Sequence, residues 1–497
     1  MRTRIHIDLE TFSDVDIKEG VYAYAASPFF RILLCAIKID DGPTTLWDPN
    51  DKPALYELLD RAHEIWAFNA EFERECLSRW LLSDGGRLSP DKWYCSKIMA
   101  QYQDLPRSLE KIAEYLGVQE KDPLGKEGIR TFSVPIKPPA TKEPTKFLKS
   151  GAISKPWYKW WDAQEHFILN TQRLYDGCYR ALSSYDIGLW THFGRYCITD
   201  VDVEHQVTER LLARGGMPET EWERYRLYCR MNDRGIGVNT ELVDRLVEAD
   251  ERDVATAQRE FSEITGIRSH SPLAFRDWAC ANGANTTSMD QKARKALKSD
   301  PDTPQAVRDA VRAFDRASAT SVRKVRRMTE MLVDGRLRGL SLFYGAHTGR
   351  VTGRGVQVHN LPRGVARGDT LEEILDSVKP MYERCMAGLP LQAEERKTLL
   401  RPCLAPDPGN VFLAADFSGI EARLMASLAN EPWQIQNFKE GRDIYKSTFS
   451  QMSEIIAGHH VPYEEVTKDQ RQMGKAAVLG LNYGGGANAL VTAGGLD

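Results

Sequence analysis

Four residues spaced four apart, Arg471, Lys475, Leu479 and Tyr483, constrain the C-terminal part of this 497-residue chain. On a helix they form one slowly drifting stripe. Two cations, an apolar residue and an aromatic ring in a row suit a nucleoside triphosphate, with the cations on phosphates and the ring at the base or sugar. An ordinary amphipathic helix ended by Gly484, Gly485 and Gly486 has the same pattern.

A second motif lies upstream. Val411 to Ala415 is an apolar run bounded by a Pro/Gly-containing turn, and reads as a buried strand. Asp416 ends it, where a carboxylate can reach solvent and bind a metal. A helix is predicted to start near Ser418. Ser418 and Glu421 also have capping-box spacing, and Asp416 also suits a strand-end turn. A third block runs from Tyr344 through Thr348-Gly349-Arg350 and Arg354 to Gln357, His359, Asn360 and Pro362.

Together these blocks, in this order, resemble the family A DNA polymerases, especially the bacteriophage-type members of the DNA polymerase I family, from about residue 225 to 497. The resemblance implies that Asp416 holds catalytic metals and that Glu421 excludes a ribose 2′-hydroxyl. Arg471 and Lys475 would grip the triphosphate, and Tyr483 would sit by the nascent base pair. Leu479 replaces an aromatic residue common in the family. Arg350, Arg354, Gln357, His359 and Asn360 would contact primer-template DNA, with His359 standing where Gln is common. The family's His-Asp-Glu turn has no counterpart, since none of the ten histidines is followed by Asp. Two-metal transfer needs carboxylates that hold both ions about 3.5–4 Å apart. The expectation is therefore a chain cut off inside its fingers, through a split gene, a frameshifted remnant or an incomplete record; in the first case a second polypeptide would carry the remaining fingers and palm.

The first two hundred residues carry a separate set. Asp8 and Glu10, in Arg4-Ile-His-Ile-Asp-Leu-Glu-Thr11, share one face of a strand and can bind divalent cations. A solvated strand end has the same pattern. An apolar strand, Ile65 to Phe68, gives way to Asn69-Ala-Glu71-Phe-Glu73. Tyr196 and Asp200 share a helix face at i, i+4. These blocks resemble the proofreading 3′–5′ exonucleases that use four acidic residues and a tyrosine, with Glu73 where Asp is usual. The resemblance covers about 1–205. It implies two Mg2+ ions per active site, with Mn2+ as a substitute. Asp8, Glu10 and Asp200 would hold one ion, Glu73 would help with the second, and Tyr196 would orient the attacking water.

The implied fold is a multidomain α/β and α+β chain. A ribonuclease H-like exonuclease domain (1–205) precedes a connecting segment and thumb (206–340), a partial palm (341–430) and partial fingers (431–497). The nine cysteines are scattered without a Cys-x-x-Cys pair, which indicates neither a zinc site nor a disulfide frame. No apolar run reaches membrane-span length. A cytoplasmic location is expected, in the host if the gene is a phage's. With a net charge of −4, DNA contact must be local. One candidate patch is Arg308, Arg312, Arg316, Arg323 and Arg327, which fall within about a 100° arc if 305–332 is one helix. A solvated helix face has the same pattern. The Pro- and Lys-rich stretch Lys121 to Lys149 reads as a mobile loop.

The expected partners are primer-template DNA, single-stranded DNA and dNTPs. Two other readings are a stand-alone metal-dependent 3′–5′ exonuclease and an inactive DNA-binding polymerase remnant. The polymerase reading predicts that residues 1–497 alone do not extend a primer with Mg2+ in an exonuclease-dead background. A second chain carrying the missing palm motif should restore extension, and Asp416→Ala should abolish it again. Robust extension by 1–497 alone would place the catalytic carboxylates elsewhere.

Overall fold

β1 (Arg4–Phe12) is a strand because its sequence alternates. Ile5, Ile7 and Leu9 enter one apolar core, while His6, Asp8 and Glu10 share the opposite face. In the computed structural model the described residues are 3–48, 51–82, 84–118, 125–134, 184–318, 321–362, 364–368, 370–482, 485–486 and 488. They divide into two compact units, Met1–Asn410 and Val411–Asp497.

In the first unit, β2 (Arg31–Ile39), β3 (Thr45–Leu46), β4 (Glu64–Ala67) and β5 (Trp93–Cys95) join β1 in a mixed sheet of order β3-β2-β1-β4-β5. β1 is antiparallel to β2, with Asp8 opposite Ala36 and Glu10 opposite Leu34, and parallel to β4, with His6 opposite Trp66. β4 and β5 are also parallel. This is the mixed, ribonuclease H-like sheet that the sequence implies. The long helix Ser184–Ala213 covers the acidic face, with Cys197 and Val201 against Ala36 and Leu34.

Gly215 and Gly216 turn the chain with positive φ after that helix. The core nevertheless continues through Val207, Leu211 and Met217 into Trp222, Tyr225 and Tyr228 of the helix Glu219–Arg234. Arg74, fully buried, pairs with Asp233 of that helix at 2.7 Å, and Tyr22 donates to the same carboxylate. Of the stretch Lys121 to Lys149 only 125–134 is described. There it is not the expected loop but a helical turn, Gly125–Gly128, followed by a π-turn, Ile129–Ser133. Its apolar Phe132 is buried against Trp190 and Phe193, which gives these residues a reason to be ordered.

The helices Thr240–Thr265, Pro272–Ala281, Gln291–Ser299 and Gln305–Ala317 build a separate core around Phe261, Phe275, Val311 and Phe314. The single helix predicted over 305–332 is instead two, Gln305–Ala317 and Ser321–Glu330. Ser318 is the reason visible in the structure. Its hydroxyl bonds the Phe314 carbonyl at 2.8 Å and lies 2.6 Å from His270 Nε2, an arrangement that competes with helix continuation. Among the described residues no helix is long and apolar enough to cross a membrane.

The second unit is helical: Ile420–Leu428, Pro432–Lys439, Ile444–Ala457 and Lys468–Asn482. The strand predicted over 411–415 is not formed. Val411, Phe412 and Leu413 are exposed, and among the described residues of this unit no strand lies beside them to pair their backbone. The helix that follows is capped by Gly419 in the left-handed region, so the Ser418–Glu421 capping box is absent as well. The last two helices pack closely because Gly474 lacks a side chain. A Cβ there would lie 2.1 Å from the Tyr445 carbonyl oxygen. Gly474→Ala should therefore destabilise the protein by about 1–3 kcal/mol, despite alanine's better helix propensity. Denaturant unfolding tests this, and an unchanged or raised midpoint would refute the packing argument.

Candidate active sites

The structure brings the N-terminal set together from three elements. β1 supplies Asp8 and Glu10. The first turn of the helix Ala70–Leu81 supplies Glu73, and one face of Ser184–Ala213 supplies Tyr196 and Asp200. Glu10, Glu73, Tyr196 and Asp200 are all buried. Burial, reinforced by the Asp8 charge, pushes the Glu73 carboxyl well above the usual range. Burial and then the Asp200 charge push the Tyr196 phenol far up, with Glu10 and Asp8 adding to it, and Tyr196 hydrogen-bonds Asp200. The Cys197 thiol approaches the Asp8 carbonyl at 3.7 Å and its carboxylate at 3.9 Å.

Glu73 Oε2 is buried without a hydrogen-bond partner, and Asp8, Glu10, Glu73 and Asp200 offer a metal only carboxylate oxygens. That chemistry fits a hard divalent cation such as Mg2+. Among the described residues, no three His, Cys, Asp or Glu side chains close into a preformed ligand cage. Mutually repelling carboxylates have reason to stay apart without a cation.

Sequence reasoning missed the support behind this set. His6, fully buried, meets Glu204 through Nδ1 and Oε2 at 2.5 Å, and the Thr208 hydroxyl donates to Glu204 at 2.8 Å. Burial works against the Glu204 charge, but His6 and these hydrogen bonds hold its carboxyl below the usual range. The signal was available: His6 is two residues before Asp8 on one strand face, and Glu204 is one helical turn after Asp200. Glu71, next to the motif, is directed elsewhere. It accepts from Asn232 Nδ2 at 2.7 Å, and burial raises its carboxyl.

The block at 344–362 forms one folded element. Ser341–Leu342 pairs antiparallel with Thr352–Gly353. Gln357 takes a left-handed backbone and leads into the turn Val358–Asn360, where Asn360 Nδ2 donates to Gln357 Oε1 at 3.1 Å. Lys324 donates to the carbonyls of Val356 and Asn360. Arg350, Gln357, His359 and Asn360 are exposed, and Arg354 is half-buried.

The five arginines are divided between two helices rather than carried on one. Arg316 binds Asp253 at 2.5 Å and Glu260 at 2.6 Å, and Arg327 pairs with Glu19 and Glu330. Arg312 pairs with Asp309, and Arg308 is held by Gln305 and the carbonyls of Asp300 and Pro301. The Arg323 side chain lies outside the described residues.

In the second unit, Arg471, Lys475 and Leu479 do lie on one helix, Lys468–Asn482. Arg471 pairs with Asp443 at 2.7 Å and stacks over the Tyr445 ring at 5.0 Å. Burial opposes the Asp443 charge, but Arg471 and two backbone N–H groups hold its carboxyl low. Lys475 is half-buried, Leu479 and Asp416 are exposed, and Tyr483 lies outside the described residues.

The sequence profile of DNA polymerase family A matches residues 246–496. The DNA polymerase of Bacillus phage SP02 is 33% identical over a 514-residue alignment covering 99% of this chain and 71% of that one. DNA polymerase I of Aquifex aeolicus is 36% identical over 91 residues, 18% of this chain and 15% of its own length. The solved POL domain of Pol1 from M. smegmatis, in complex with DNA primer-template and dNTP, has the same fold at a TM-score of 0.55. That likeness, at 17% identity, covers all of this chain and 70% of that one. The chain belongs to DNA polymerase family A.

The raised Glu73 carboxyl gives a pH test of the metal reading. A carboxyl whose folded pKa is raised favours the folded state at low pH, and that contribution is lost as pH rises through the folded value. A cation that binds the ionised form reverses the loss. Added Mg2+ should therefore raise Tm more at pH 8 than at pH 6, and Glu73→Gln should shrink that difference. Equal shifts at both pH values, or no shift at all, would count against Glu73 as a ligand.

Proposed function

We propose that this chain is a replicative DNA polymerase polypeptide whose residues 1–205 form a metal-dependent 3′–5′ proofreading exonuclease. The observation that carries the exonuclease reading is the convergence of Asp8, Glu10, Glu73, Asp200 and Tyr196 in one largely buried site. Asp8, Glu10 and Asp200 would hold one Mg2+ and Glu73 would help hold a second, with Mn2+ as an alternative. Such ions, when bound, lower the pKa of an attacking water and neutralise charge on a leaving 3′-oxygen. Tyr196 stays protonated at neutral pH, because burial and Asp200 push its phenol up. It therefore positions a water by hydrogen bonding rather than taking its proton. His6 and Glu204 brace the strand and helix that carry these groups.

Arg350, Arg354, Gln357, His359 and Asn360 would contact primer-template DNA. In the second unit Arg471 and Lys475 would meet the phosphates of a dNTP, whose charge would compete with Asp443 for Arg471. Tyr483 would sit by the base pair, Glu421 would select the sugar and Asp416 would hold metal. The exposed side chains of Val411, Phe412 and Leu413 favour a further strand beside them, as a second polypeptide carrying palm would provide. The place of action would be the cytoplasm, the host's for a phage gene.

The test is degradation of a single-stranded oligonucleotide in Mg2+. Asp8→Ala with Glu10→Ala should slow it by about three orders of magnitude or more, with single-strand binding retained in the absence of metal. Degradation at an unchanged rate by the purified double variant would sink the exonuclease assignment.

A further inference from the structure

Tyr196 is confined by contacts that the catalytic reading does not ask for. Its ring stacks on Phe193 at 6.4 Å with an interplanar angle of 8°, and Phe193 is backed by Phe132 and Trp190. From another side comes the helical turn Gly125–Gly128. A Cβ on Gly125 would lie 1.9 Å from Tyr196 Cδ2, 2.1 Å from Cε2 and 2.4 Å from Cγ. A Cβ on Gly128 would lie 2.5 Å from Phe193 Cδ2, so the same turn also seats the neighbouring ring. Gly125 has no positive φ, so backbone freedom does not explain a glycine there. What the position requires is the absence of a side chain.

We propose that Gly125 is the positioning residue for Tyr196: its bare Cα forms the wall against which the ring rests, and so sets where the phenol hydroxyl stands relative to Asp200. The inference rests on reading 1–205 as an exonuclease. The ring has Phe193 stacked on it and cannot yield to a new methyl group without moving its hydroxyl. A displacement of about 1 Å in a reacting constellation can cost about a hundredfold in rate. The carboxylates, on other elements, would be left in place, so the loss should fall on turnover rather than on binding of the strand.

The experiment measures kcat and KM for Mg2+-dependent degradation of a single-stranded oligonucleotide by the full chain. Gly125→Ala should lower kcat about 10- to 100-fold with KM unchanged. Tyr196→Phe, which removes the hydroxyl, should make Gly125→Ala nearly silent, so the double variant should fall little below Tyr196→Phe alone. A wild-type rate in Gly125→Ala, or losses that simply multiply in the double variant, would overturn the inference. Should Gly125→Ala fail to fold, thermal unfolding of Gly125→Ala with Tyr196→Ala decides. Recovery of a folded protein once the ring is removed supports the seat, and an equally unfolded double variant refutes it. A wild-type chain without nuclease activity would instead sink the exonuclease reading, and the same thermal comparison would still report on the seat.

Discussion

The arrangement of the N-terminal half depends on a repulsion. Asp8, Glu10, Glu73 and Asp200 are brought into one region from which water is largely excluded, and no hydrogen bond reaches Glu73 Oε2. Gathering buried charges of one sign costs hydration and Coulomb energy. The fold must therefore recover that cost elsewhere or transfer it to a bound cation. The Glu73 carboxyl, pushed well above the usual range by burial and the Asp8 charge, is the sign of that cost. Glu204, one helical turn after Asp200, shows the contrast: with the His6 imidazole and the Thr208 hydroxyl beside it, its carboxyl is held below the usual range despite burial.

The scaffold that holds these charges together is apolar on one face and ionic at its edge. Ile5, Ile7 and Leu9 fix β1 through burial, at roughly 1.5–3 kcal/mol for each large side chain. At the edge, the pair of buried Arg74 with half-buried Asp233 ties the helix that carries Glu73 to the helix Glu219–Arg234. Removing one partner of such a pair leaves an uncompensated buried charge, which typically costs about 3–5 kcal/mol. Glu71 adds a second tie through Asn232. The helix Ala70–Leu81 thus faces two ways: Glu73 toward Asp8, and Glu71 and Arg74 toward Glu219–Arg234. This explains why the core does not break where the glycine-rich turn at 215–216 invites a boundary.

Much of this was legible because short-range periodicity carries it. Alternation placed Asp8 and Glu10 on one face, and the i, i+4 spacing placed Tyr196 with Asp200. The same spacing put Arg471, Lys475 and Leu479 on one helix. What escaped were features decided by partners distant in sequence. His6 reads as an unremarkable alternate residue until Glu204, 198 positions away, is seen against it. The arginines at 308–327 have the angular spacing of a binding face, but Asp253, Glu260 and Glu19 claim two of them. Gly125 sat in a segment whose prolines and lysines spoke for a loop, and only the Tyr196 ring beside it gives its missing side chain a meaning.

The run at 411–415 shows the same limit from the opposite side. Its composition suits a strand, but a strand is a property of a pair of backbones, since each needs the other's N–H and C=O groups. A helix closes its hydrogen bonds within itself, so Ile420–Leu428 and Lys468–Asn482 form from local sequence and packing of one face. Leu413 stays 94% exposed beside them, with its β-forming neighbours Val411 and Phe412 also in solvent. Such side chains are not a stable surface for a protein in water. The run beside Asp416 thus lacks a pairing partner among the described residues of its unit, whereas Asp8 and Glu10 lie on a strand flanked on both sides within theirs.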